Sequence, residues 1–72
     1  MTAPEWIEAF CEQIGIEAPD DATTGQILRL ASVAAHASER TAAPVACYLA
    51  GISGRPLDEI ERAAESVPGA DG

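Results

Sequence analysis

No lysine and no asparagine occur in this sequence, and its formal bases are four arginines, Arg29, Arg40, Arg55 and Arg62, against twelve acids. The formal net charge is −8. Phosphate backbones and anionic lipid surfaces are held by clustered Lys and Arg, so this field is expected to repel nucleic acid and membrane alike. A partner surface should instead be neutral or basic. Cysteine is scarce too: Cys11 and Cys47 stand 36 positions apart. Small disulfide-stapled secreted domains carry four or more, so free thiols and a cytoplasmic setting are expected. Missing also are a basic start with an apolar run, the mark of a signal peptide, and any stretch near the ~20 apolar residues of a membrane span. No segment alternates with period two and nothing repeats at a fixed interval, so neither a sheet nor a solenoid is indicated. Abundant alanine beside the missing Lys and Asn fits a GC-rich bacterial genome.

What is present is a short, alanine-rich chain. The 72 residues are 47% hydrophobic, but 15 of these are alanines, which leaves 19 larger side chains from Met1 to Val67. A domain of this size hides only about 60% of the surface its unfolded chain exposes, so a core this thin is readily completed by a partner.

Periodicity predicts four helices. Trp6, Ile7, Phe10, Cys11 and Ile14 form one stripe, with Glu5, Glu8 and Glu12 opposite, over residues 3–14. Thr2 and Glu5 are spaced as a capping box, Pro4 suits the first turn, and Gly15 terminates. Residues 16–24, IEAPDDATT, read as a loop ending in an N-cap. A second helix over 25–39 carries Ile27, Leu28, Ala31, Ala34 and Ala35, widened by Leu30 and Val33, and is expected to be central. Its alanines would let a neighbour approach closely. Thr41 is placed to cap a third helix with Pro44 in its first turn and Val45, Tyr48, Leu49 and Ile52 as the buried face, ended by Gly51 or Gly54. Pro56 opens a fourth, with core positions Leu57, Ile60, Ala64 and Val67, Asp58 and Glu59 at its positive pole, and Pro68 as its stop. The expected fold is all-α, a compact bundle of three to four short helices in one domain over 1–68, with residues 69–72 frayed.

Chemistry does not converge in this pattern. Glu5, Glu8 and Glu12 read as a solvated helix face, since catalytic carboxylates need burial or close neighbours to separate their pKa values. His36, Cys11 and Cys47 are three scattered metal-binding side chains where a structural zinc wants four at local spacings. As nucleophile and base they lack an orienting third residue, and both cysteines lie on apolar stripes. GISGR, residues 51–55, offers glycines, a serine and an arginine but follows no strand and lacks the Gly-Lys-Ser/Thr of a phosphate loop, so it reads as a helix end. Helices 2 and 3 imitate a helix-turn-helix, yet PVACYLAG carries no side chain to read a base edge. Neither catalysis nor a metal nor a cofactor is expected.

The run LRLASVAAHASERTAAPVACYLAG, residues 28–51, with PEWIEAF upstream, resembles small bacterial domains of the DUF6457 type. The matching features are the Leu- and Ala-rich helix reaching His36, the pair Glu39 and Arg40, Ala42 to Pro44, and the aromatic-Leu-x-Gly of Tyr48 to Gly51, which together span most of residues 4–55. The resemblance implies a place in molybdenum cofactor maturation, because such domains occur alone or joined to molybdenum cofactor guanylyltransferase-like enzymes. The nucleotidyltransferase's own phosphate loop and metal-binding aspartates have no counterpart here. A non-catalytic accessory module follows, with His36, Glu39, Arg40, Tyr48 and Arg55 as candidate partner surface and the guanylyltransferase as candidate partner. Two alternatives stand beside it: a self-associating structural module, such as a homodimer, and a small pterin- or nucleotide-binding domain with Trp6 or Tyr48 stacking and Arg40 or Arg55 meeting phosphate.

Overall fold

Thr2 begins the first helix, α1 (Ala3–Ile14), by the exchange its spacing anticipates. Its hydroxyl accepts from the Glu5 N–H at 3.3 Å while the Glu5 carboxylate accepts from the Thr2 N–H at 2.8 Å. Gly15 closes the helix at φ 77°, and the N–H groups of Gly15 and Ile16 both donate to the Cys11 carbonyl. The computed structural model describes residues 1–68, so the expectation of a frayed tail at 69–72 lies outside it.

The second helix, α2 (Asp21–Ala37), starts four residues before the sequence suggests. Two candidate caps compete here, Asp20 and Thr24, and the earlier one wins: Asp20 Oδ1 accepts from the Thr23 N–H at 2.8 Å. Asp21 then sits against the positive pole of the dipole. At the other end the helix stops at Ala37, where the Ser38 hydroxyl and N–H both turn back to the Ala34 carbonyl. The Thr23 backbone N–H, then its side chain, hold the Asp20 carboxyl below its ordinary 3.8. A depressed acid contributes stability that is present above its unfolded pKa and lost as pH falls through the folded one. Asp20→Asn keeps an acceptor at the cap but removes this titration. The urea midpoint should therefore drop less for the variant than for the parent between about pH 5 and about pH 2.

The third helix, α3 (Ala42–Ser53), has no side-chain cap, contrary to the role expected of Thr41. Thr41 is already helical at φ −66° and ψ −18°, so its hydroxyl is not placed to accept from the first turn. The Ala42 and Ala43 N–H groups are met instead by the Glu39 and Arg40 carbonyls in tight turns. Gly54, not Gly51, ends the helix at φ 73°. The two glycines should respond oppositely to alanine, since a Cβ at either meets nothing within 4 Å. Gly51→Ala removes backbone freedom from a helical position and should stabilise by roughly 0.5–1 kcal/mol. Gly54→Ala forces a left-handed alanine and should cost about 1 kcal/mol. Thermal melts of the two variants should move in opposite directions.

The fourth helix, α4 (Leu57–Glu65), follows Pro56, whose carbonyl accepts from Glu59 and Ile60. These four helices make an all-α bundle with no strand among the described residues. As its alanines suggest, α2 is central: α3 and α4 both pack on it and hardly on each other. Leu30, 2% exposed, is the most buried of the hydrophobic core residues, joined by Ala50 and Cys11. Cys47 Sγ lies 3.9 Å from the Ile27 carbonyl, where α3 crosses α2, and Arg29 reaches Glu61 at 3.5 Å to tie α2 to α4. Helix α1 packs extensively on none of the others. The radius of gyration, 13.1 Å, accordingly exceeds the ~11 Å of a fully consolidated domain of this length.

Candidate functional site

α3 contains no charged residue, and its sequence AAPVACYLAGIS offers two apolar faces at the same helical spacing. One is small: Ala43, Ala46, Cys47 and Ala50. The other is large: Val45, Tyr48, Leu49 and Ile52. Side-chain size favours the large face as core, but the structure buries the small one. Val45, Tyr48, Leu49 and Ile52 are 53–67% exposed, while Ala50 is buried and Ala43, Ala46 and Cys47 are half-buried. The physical reason is backbone proximity. Alanines on α2 and α3 let the two helices approach closely, which large side chains between them would prevent.

The same correction applies to α1. Its stripe is helical as expected, but only Cys11 is buried; Trp6, Phe10 and Ile14 are each about half exposed. Trp6 and Phe10 stack on each other, one helical turn apart, with ring centroids 5.0 Å apart. The hollow beside them, about 310 Å³, is lined by Met1 and residues of α1 alone. On α2 Leu28 is exposed, and on the segment after α4 so is Val67, where both were expected in the core.

His36, Glu39, Arg40, Tyr48 and Arg55 are all exposed. His36 lies one turn from Ser32, with Nδ1 2.8 Å from the Ser32 carbonyl and 3.1 Å from its hydroxyl. With its proton on Nδ1 the ring donates to that carbonyl and leaves Nε2 facing outward. Glu39 and Arg40 occupy the turn from α2 into α3. Arg55 stands at the opposite end of α3, some 18 Å away along the axis of a 12-residue helix. Arg55 is also engaged, pairing with Glu59 at 3.3 Å, as Arg62 pairs with Asp58 at 3.4 Å. Among the described residues Arg40 alone of the arginines has no carboxylate partner. The five residues therefore form two groups, one at each end of α3, with Tyr48 between them. Trp6 lines the hollow beside α1, and Arg55 lines hollows at the end of α3.

Sequence reasoning missed the gap between α3 and α4. Because both lean on α2 without closing on each other, two adjoining hollows of about 340 and 390 Å³ open between them. Both share Ala46, Leu49, Ala64 and Val67; Leu30, Val33 and Ala34 contribute from α2. No carboxylate lines either one, and Arg55 is the one charged side chain at their edge. A third hollow of about 440 Å³, also without an acid, lies between α2 and the end of α3 beside Cys47 and Gly54. Among the described residues no three His, Cys, Asp or Glu side chains gather as metal ligands, and no helix is long and apolar enough to cross a membrane.

Fold and surface together define a small all-α domain with an unclosed apolar groove. The chain belongs to the DUF6457 family, a domain of unknown function whose model matches residues 1–70. That span takes in α4, which the resemblance over residues 4–55 did not reach. Comparison with curated proteins and with solved structures finds no match.

Proposed function

We propose that this chain is a non-catalytic accessory module that works by protein contact. Its docking surface is the outward side of α3, Tyr48 and Ile52, extended by His36, Glu39 and Arg40 at one end and Arg55 at the other. The observation that carries the reading is the exposure of the large apolar face of α3 while the small face is spent on packing. An exposed tyrosine midway along α3, with arginines at both ends of the helix, matches the residue types enriched at interfaces. Water-facing Val, Tyr, Leu and Ile on one short helix are costly unless something covers them.

The partner we propose is a molybdenum cofactor guanylyltransferase, on the strength of the resemblance in residues 28–51. The chain's scattered acids, cysteines and histidine support a helper's role beside such an enzyme and not a share in its chemistry. Tagged chain should retain the cognate guanylyltransferase from its own cell extract and bind the purified enzyme with one-to-one stoichiometry. Repeated retrieval of the chain without that enzyme, and no binding of the purified pair at micromolar concentration, would remove the proposed partner.

A further inference from the structure

We draw no further inference here: the strongest candidate, the apolar groove between α3 and α4, carries nothing because no feature of the structure shows what covers it.

Discussion

Leu30→Ala is expected to lower the melting temperature by about 12–24 °C. Leu30 is the most buried of the large side chains in the core and stands on the helix that both α3 and α4 use as their support. Truncating a buried leucine costs about 3 kcal/mol, the transfer free energy of the lost methyl groups plus a cavity the neighbours only partly fill. In a domain of this size each kcal/mol moves the midpoint by roughly 4–8 °C. Total stability for such a length is on the order of 4–11 kcal/mol, so the substitution removes from about a quarter to about three quarters of it. Circular dichroism at 222 nm through a thermal ramp measures it. A drop of only a few degrees would mean that α3 and α4 do not depend on the Leu30 contact.

Tyr48→Ala is expected to do the opposite kind of damage. The ring is 67% exposed and makes no hydrogen bond or aromatic contact among the described residues, so stability should move by no more than about 0.5 kcal/mol. Binding to the proposed partner, a guanylyltransferase, should nevertheless weaken roughly 30-fold, which is the ~2 kcal/mol of an aromatic at the centre of an interface. Titration calorimetry with the purified enzyme reads the affinity, and a thermal melt of the same sample reads the fold. Equal affinities for parent and variant would move the contact away from α3. A parallel loss of melting temperature would show instead that Tyr48 serves the fold.

These two substitutions mark where the amino-acid sequence is a sufficient guide and where it is not. The boundaries of α1 follow from Thr2, Glu5 and Gly15, because caps and terminators act through hydrogen bonds to residues within one turn. The start of α2 was less legible: Asp20 and Thr24 are both competent caps, and local chemistry alone does not rank them. The placement of α2 at the centre was legible in its alanines. The exposure of Val45, Tyr48, Leu49 and Ile52 was not, because an uncharged helix with two apolar faces carries no sign of which one turns inward.

Local interactions thus determined, from the sequence alone, that the chain is helical, where its first helix begins and ends, and that Gly15 and a glycine after α3 would be terminators. Tertiary structure alone decided which faces are spent. Burial depends on which surfaces can meet at close range, and the alanines of α2 and α3 meet more closely than larger side chains allow. That choice left α1 outside, the large face of α3 in water and a groove between α3 and α4, none of which is encoded within any single helix.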